Sequence, residues 1–171
     1  HAGTRVGAAQ ADQQFHGHQL QMGLVSDGPV FLYHNTSWTN ANDLNAMSVS
    51  RPVSNVTMRN NIFQGNGFAF ESPVTGLTGH SWDYDNWYTT RTSGPHFKWE
   101  KLSYNTIAEL CAATTLECNG HESAPGFVNP TGGDFSLQAA SPNVDRGVLL
   151  PGIDDDFQGN APDLGAIEST F

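Results

Sequence analysis

The feature that most constrains this chain is a short motif that recurs at a nearly constant interval along the sequence. Each copy alternates apolar and polar residues and shares an asparagine, which falls at Asn35, Asn61 and Asn86. Asparagine tolerates the left-handed backbone that turns a strand sharply. An interval of this length, built from strands, is typical of a solenoid whose coils each contain two or three short strands. The copies are Val30–Thr36, Val56–Ile62 and Ser81–Trp87.

The composition agrees with many short strands joined by turns. Gly, Asn, Ser and Thr make up about a third of the 171 residues, whereas helical bundles are rich in Ala, Glu, Lys and Leu. A net charge of −10 argues against nucleic acid and against an anionic lipid surface. The sequence has no apolar run of the ~18–20 residues that a membrane span needs. We therefore expect no nucleic acid and no membrane as partners.

Alternation within the copies predicts which side chains face the interior. The same register in the third copy would bury Asp83 and expose Trp82 and Tyr84, and burying an unpartnered carboxylate is costly. Two alternatives remain here: a bulge shifts that strand by one residue, or the interior is polar and hydrogen-bonded at this point. In the first two copies the inward side chains would be Val30, Leu32, Val56 and Met58.

From about residue 102 the pattern changes. Residues 104–113 are typical of a short helix, with Asn105 or Ser103 as its N-cap. Two interpretations of Cys111 and Cys118 remain open. They form one small disulfide, which suits an oxidising compartment, or they are free buried thiols.

Several motifs follow this helix in a fixed order: Phe127-Val128-Asn129-Pro130, Asp134-Phe135-Ser136-Leu137, Ser141-Pro142-Asn143-Val144-Asp145-Arg146-Gly147 and Pro162-Asp163-Leu164-Gly165-Ala166-Ile167-Glu168. This order resembles the C-terminal end of secreted right-handed parallel β-helix proteins of bacterial type, although Ala124 stands where that family usually carries Asp before Pro125. The resemblance covers roughly residues 30 to 168. It implies carbohydrate-active or carbohydrate-binding proteins, often polysaccharide lyases, epimerases or glycoside hydrolases. The terminal motifs are structural in that family and mark no active site.

We therefore expect an all-β fold, a right-handed parallel β-helix of about three to four coils with a C-terminal cap containing one short helix. The coils would occupy residues 1–101, and the short helix and capping segment residues 102–171. An open solenoid end exposes strand edges, and nothing before residue 28 is typical of a cap. This predicts that the chain is the C-terminal portion of a longer β-helix, with the N-terminal portion as a companion chain. The polar, acidic surface predicts a secreted or cell-surface protein.

Outward side chains of the copies supply candidate sugar-binding residues. Aromatic faces stack on the C–H surfaces of sugars, and arginine pairs with uronate or sulfate groups. The alternative is that these aromatics pack under loops such as residues 75–79. The candidate substrate-binding residues are Phe31, Tyr33, Trp82 and Tyr84, in a stripe beside Thr57 and Arg59.

A neighbouring column of His34, Asn60 and Asp85 supplies candidate catalytic residues. A lyase needs a base and a cation that stabilises the enolate, which are roles for His34 and Arg59. A hydrolase needs two carboxyl groups ~5–5.5 Å or ~6.5–9.5 Å apart, which are roles for Asp83 and Asp85. The alternative is that such residues end turns and satisfy backbone groups. The candidate catalytic set is His34, Arg59, Asp83 and Asp85.

These residues favour two classes of function. The first is a secreted β-helix protein that cleaves or binds an acidic polysaccharide, as a lyase or a glycoside hydrolase does. The second is a non-enzymatic surface or adhesion module that uses the β-helix as a stiff display rod. No cofactor or metal is expected, with one alternative: the run Asp154-Asp155-Asp156 could hold Ca²⁺ together with backbone oxygens, although it lacks the order of an EF-hand loop.

Overall fold

The chain, in a computed structural model, is built from short β-strands, one α-helix and one short 3-10 helix. The structure describes residues 14–16, 20–22, 29–42 and 44–171. The strands are β1 (Gln14–His16), β2 (Leu20–Met22), β3 (Val30–Tyr33), β4 (Thr36–Trp38), β5 (Met47–Val49), β6 (Val56–Arg59), β7 (Ile62–Gly65), β8 (Phe70–Glu71), β9 (Ser81–Trp82), β10 (Asn86–Thr89), β11 (Phe97–Trp99), β12 (Leu102–Tyr104), β13 (Phe127–Asn129) and β14 (Asp134–Leu137).

Most of these strands form three parallel sheets, in the orders β1-β4-β7-β10, β2-β5-β8-β11 and β3-β6-β9. Strand β12 adds to the second sheet as an antiparallel edge, and β13 pairs with β14 as a separate antiparallel ribbon. The chain is therefore mostly β, with parallel sheets, as the composition and the repeat predict.

The recurring motif pairs with itself across neighbouring strands. Val30 lies beside Val56 and Tyr33 beside Arg59, which is the same offset that separates Asn35 from Asn61 in the predicted repeat. Alternate side chains of β3 and β6 are buried, as expected for strands with one face on a core. The four side chains predicted to point inward are all buried: Val30, Leu32, Val56 and Met58.

The third repeat is offset by one position from the alignment that the asparagines predict. Thr57 pairs with Ser81 and Met58 with Trp82. Trp82 consequently points inward and is only 2% exposed, which corrects its assignment to the outward stripe. Of the two alternatives left by the sequence, the strand shift is the one observed. It buries an indole where the predicted register would have buried Asp83, so the Asp83 carboxylate stays partly exposed.

All three sheets contribute side chains to one hydrophobic core. Aromatic rings fill its centre: Phe63 stacks on Trp87 with ring centroids 4.2 Å apart, and Phe70 meets Trp82 edge-on at 5.0 Å. Buried aromatic pairs of these geometries stabilise a fold by ~0.5–1.5 kcal/mol beyond their area alone. Phe70 thus contacts rings of both other sheets, Trp82 and Trp87, and joins the three sheets within the core.

Helix α1 (Ile107–Thr114) follows the parallel strands, as the sequence predicts. Its N-cap is Thr106, whose hydroxyl accepts the N–H of Glu109, so the predicted caps Asn105 and Ser103 are wrong. The threonine hydroxyl satisfies one of the N–H groups that every helix start leaves unpaired. Leu110 anchors the helix in the main core.

After α1 the chain returns to the edges of the sheets. Cys111 and Cys118 form a disulfide, the first of the two interpretations left open above. Residues 117–121 then bond to the last strands of two sheets, with the Glu117 N–H donating to Trp82 O and the Trp87 N–H to His121 O. This segment therefore covers part of the sheet edges that the parallel strands leave at this end.

The remaining segment, residues 123–168, lies along the outer face of the sheet β1-β4-β7-β10. Thr36 Oγ1 on β4 accepts the N–H of Ala166 at 3.0 Å. The 3-10 helix Pro130–Gly132 connects β13 to β14 within this segment. Residues 123–168 belong to the segment predicted to cap the β-helix, and in the structure they cover the side of a sheet. A second apolar core joins segment and sheet, and consists of Trp38, Ile62, Phe127, Phe135, Leu137 and Leu164.

Within the described residues, none of the helical segments is both long and apolar enough to cross a membrane.

Candidate functional site

The outward face of the sheet β3-β6-β9, here called the β3 face, carries several of the predicted binding residues. Alternation turns every second side chain of these strands away from the core. Phe31, Tyr33, Thr57 and Arg59 are partly exposed, and Ser81 is exposed. Phe31 and Tyr33 lie close together, with ring centroids 5.7 Å apart. The structure thus brings two aromatic rings and one guanidinium onto one solvent-facing surface.

Arg59 is held in place by its neighbours on this face. Its Nη1 donates to Met58 O at 2.6 Å and to Ser81 O at 2.7 Å, and its Nη2 donates to Ser81 Oγ at 2.8 Å. A guanidinium has five N–H donors, so two are left for another acceptor. Because these bonds already hold the Arg59 side chain in place, binding of an anionic ligand would cost little further side-chain entropy.

The Tyr33 hydroxyl stays protonated over the neutral range. Burial raises the pKa of Tyr33, and the positive charge of Arg59 offsets this only in part. The phenol therefore offers a neutral donor and an aromatic face beside the arginine.

His34 follows β3 directly and forms a pair with an acid from the C-terminal segment. Its Nε2 lies 2.8 Å from Asp154 Oδ2, and the two side chains are 16% and 9% exposed. The His34 backbone is left-handed, with φ of 52°, which turns the chain at the end of the strand. In the neutral tautomer whose Nε2–H donates to this carboxylate, Nδ1 carries the lone pair and is the ring atom that can act as a base. Asn60 Nδ2 lies 3.2 Å from the same Nε2 and donates to Val148 O at 2.8 Å.

Asp154 is a site residue that the sequence did not predict in this role. It was assigned only to a possible Ca²⁺ loop, and its partner His34 lies 120 residues earlier in the chain. Its other oxygen accepts the Leu150 N–H at 2.7 Å, and Asp155 accepts the Gly152 N–H. The described residues contain no group of three or more His, Cys, Asp or Glu side chains arranged to hold a metal ion.

Asp85 lies inside the molecule, in a column of buried side chains that bond to backbone N–H groups of neighbouring repeats. Asn61 Oδ1 accepts the N–H of Asn35, Asp85 Oδ1 accepts that of Asn61, and Glu117 Oε2 accepts that of Asp85. We call these four residues the polar ladder. The predicted column of His34, Asn60 and Asp85 is therefore corrected by one position: Tyr84 aligns with Asn60, and Asp85 aligns with Asn61.

The polar ladder ends in two buried carboxyl groups. Burial raises the pKa of Asp85 to about 7, and burial together with the adjacent Asp85 raises the pKa of Glu117 well above its ordinary value. Both groups are at most 1% exposed. Their environment favours a proton held between them, and Asp85 has no contact with solvent through which it could meet a polysaccharide.

The remaining predicted residues lie at the edge of the β3 face. Asp83 is partly exposed, and its two oxygens accept the backbone N–H and the side-chain amide of Asn119 at 2.6 and 2.7 Å. Tyr84 is partly exposed and sits at a left-handed turn with φ of 61°, which places it in the column of His34 and not in that of Tyr33. The strand alternation that would put Asp83 and Asp85 on one face is broken by this turn.

No family model, no curated protein and no solved structure matches this chain. Its function must therefore be inferred from its own geometry.

Proposed function

We propose that this chain belongs to a secreted protein that binds an acidic polysaccharide along the β3 face. In this proposal the three parallel sheets close into a right-handed β-helix. Support comes from the pairing of successive repeats in parallel register, and from the single core that the three sheets share. A fold of stacked coils presents long, straight side-chain rows, which suit an extended polymer.

The observation that carries the proposal is the combination of Phe31, Tyr33 and Arg59 on one partly exposed sheet face. Sugar rings have C–H surfaces that pack on aromatic faces, and uronate carboxylates accept charge-assisted hydrogen bonds from arginine. Parallel strands stand ~4.8 Å apart, so neighbouring side chains on this face can contact the same sugar unit or its neighbour. Because two bonds to Ser81 hold Arg59 in position, we expect it to bind a uronate carboxylate in one orientation.

The net charge of −10 constrains how such binding works. It repels a polyanion at long range, so affinity must come from contact with Arg59 and from aromatic packing. We therefore expect added salt to weaken binding only slightly, in contrast to basic proteins that bind polyanions.

His34 and Asp154 extend the proposal to cleavage by β-elimination. In that reaction His34 Nδ1 would accept the proton on the carbon next to the uronate carboxyl, and Arg59 would stabilise the enolate. The bond to the leaving sugar oxygen would break as the double bond forms, and that oxygen would take up a proton from water. Hydrolysis by Asp83 and Asp85 is not part of the proposal, because Asp85 is buried in the polar ladder.

Two further features support secretion and a companion chain. The Cys111–Cys118 disulfide is expected in an oxidising compartment. Among the residues that the structure describes, strand β3 stands at the edge of its sheet, where a preceding coil from an N-terminal portion could pair with it.

Affinity electrophoresis with polygalacturonate, alginate and neutral dextran tests the proposal. We expect binding to the uronate polymers only, and Arg59→Gln should weaken it roughly 10–100-fold, since it removes a charged hydrogen bond of ~1.5–3 kcal/mol. Arg51→Gln, which makes the same change in charge at an exposed arginine, is the matched control and should bind normally.

Cleavage is read separately, from the ultraviolet absorbance of the unsaturated uronate product. His34→Gln should remove this signal and retain binding. Equal binding by wild type and Arg59→Gln would contradict the proposed face, and a lack of binding to every polymer would favour the display-rod alternative.

A further inference from the structure

A cavity of about 400 Å³ lies beside the hairpin of β11 and β12 and the last turn of α1. Its lining includes two aromatic residues, Trp99 and Tyr104, together with Glu100 and, on the helix, Ala113. The volume lies in the ~300–1,000 Å³ range of small-molecule sites. None of these residues takes part in the polysaccharide site proposed above.

The charge of the cavity wall has one sign. Glu100 is the only Asp, Glu, Lys or Arg among the ten lining residues, all of which the structure describes. His80 also lines the cavity, and burial lowers its pKa, so its imidazole is neutral near pH 7. The lining therefore combines aromatic residues with a single negative charge.

The turn that carries Glu100 is strained. Glu100 and Lys101 join β11 to β12 with φ values of 48° and 72°, so both central residues of this two-residue hairpin turn are left-handed. Asn-Gly and similar pairs are strongly preferred there, because side chains with a Cβ are disfavoured at positive φ. Such strain persists where the surroundings over-determine it, and it often marks a functional position.

Glu100 is also positioned by a hydrogen bond. Its Oε1 accepts the Leu77 N–H at 2.7 Å, which fixes the carboxyl group at the wall and leaves Oε2 for a further partner. A carboxylate beside two aromatic rings is the chemistry that recognises organic cations, since the ring faces attract positive charge.

We propose that this cavity binds a small organic cation of the alkylammonium class, with its charge at Glu100 and its alkyl groups against Trp99 and Tyr104. A quaternary ammonium suits the site best, because it has no N–H groups that would be left unpaired among the rings. A neutral molecule of the same shape gains the apolar contacts alone and binds more weakly.

Calorimetric titration with choline and with its uncharged carbon isostere, 3,3-dimethylbutan-1-ol, tests this inference. The wild type should bind choline at least about tenfold more tightly than the isostere. Glu100→Gln keeps an acceptor for the Leu77 N–H and removes the charge, so it should weaken choline about tenfold. Asp155→Asn is the matched control: it neutralises another carboxylate that accepts one backbone N–H, outside the cavity, and should leave choline binding unchanged.

Three other variants separate the effect of charge in the cavity from effects on folding. Ala113→Lys places a positive charge at an exposed helix position in the wall and should abolish choline binding without unfolding the chain. Lys101→Gly should raise the melting temperature by relieving the left-handed strain and leave choline binding intact. Glu100→Gly relieves the same strain but leaves the Leu77 N–H without its acceptor, so it should gain no stability and should lose choline binding.

Equal affinity of wild type for choline and the isostere, unchanged choline binding by Glu100→Gln, or no choline binding at millimolar concentration would each overturn the inference. Arg59→Gln should leave choline binding unchanged. Failure of the polysaccharide proposal and failure of this one are therefore distinguishable.

Discussion

Replacing Asp85 with asparagine should make this protein more stable above neutral pH. Asp85 stands where the preceding repeats of the polar ladder have Asn35 and Asn61. The new amide oxygen would still accept the N–H of Asn61, and its NH₂ group would face the Glu117 carboxyl group. The substitution therefore retains the ladder bonds and removes a group that ionises inside the molecule.

The magnitude follows from the raised pKa of Asp85, about 7 in the fold against an ordinary value of 3.8. A raised pKa means that the folded state holds the proton more tightly, so stability is fully present at acid pH. It is lost as the pH rises from about 4 through about 7. At about 1.36 kcal/mol per tenfold change in proton affinity, the loss is roughly 4 kcal/mol at alkaline pH. For a chain of this size that equals a change in melting temperature on the order of 10 °C.

Thermal unfolding of wild type and Asp85→Asn at pH 4, 6 and 8 measures the effect. We expect similar melting temperatures at pH 4 and an advantage for the variant that grows to pH 8. Asp83→Asn makes the same change two residues away at a partly exposed carboxylate bonded to Asn119, and should show no comparable gain. Parallel curves for wild type and Asp85→Asn across this range would refute the reasoning.

Three further predictions concern other parts of the fold. Burial and the charge of Arg146 lower the pKa of His121 to about 4, so the fold loses stability as the pH falls from about 6.5 towards 4, and His121→Gln should flatten that part of the pH–stability curve. Reduction of the Cys111–Cys118 disulfide should cost about 2–3 kcal/mol in urea unfolding, and a double serine variant should be insensitive to reductant. Gly165→Ala should destabilise by roughly 2–4 kcal/mol, because its Cβ would lie 2.7 Å from Thr36 Oγ1, whereas Gly133→Ala has the same left-handed backbone in open space and should cost only about 1 kcal/mol.

The parts of the fold that the sequence predicts are those set by local pattern. Alternation placed Val30 and Leu32 correctly, and the interval between Asn35 and Asn61 placed them beside the matching residues of the second repeat. Helix α1 was expected close to its observed position, because apolar spacing and nearby capping residues mark a helix without reference to the rest of the chain. Its first residue was harder to predict, since Thr106 and its polar neighbours are all acceptable caps.

The errors in the third repeat have one physical origin. A period read from the asparagines aligned Asn86 with Asn61, although a carboxyl oxygen of Asp85 can accept the same N–H group as an asparagine oxygen does. The alignment of β9 with β6 is set by packing of the core, in which Trp82 is buried and from which Asp83 is excluded. Packing therefore decided a register that residue identity left open.

The contact between His34 and Asp154 shows why the candidate site was only partly predictable. Nothing local to either residue specifies a partner 120 positions away; the pair exists because residues 123–168 fold back along the first sheet. The same packing buries Thr36 and Ile62 on that sheet and leaves the β3 face partly exposed. The C-terminal segment thus selects which row of side chains can meet a ligand, and it supplies the acid that orients His34 beside that row. Removing Asp154 should therefore affect cleavage through His34 and leave the aromatic contacts of Phe31 unchanged, which is the division of roles that the proposed function requires.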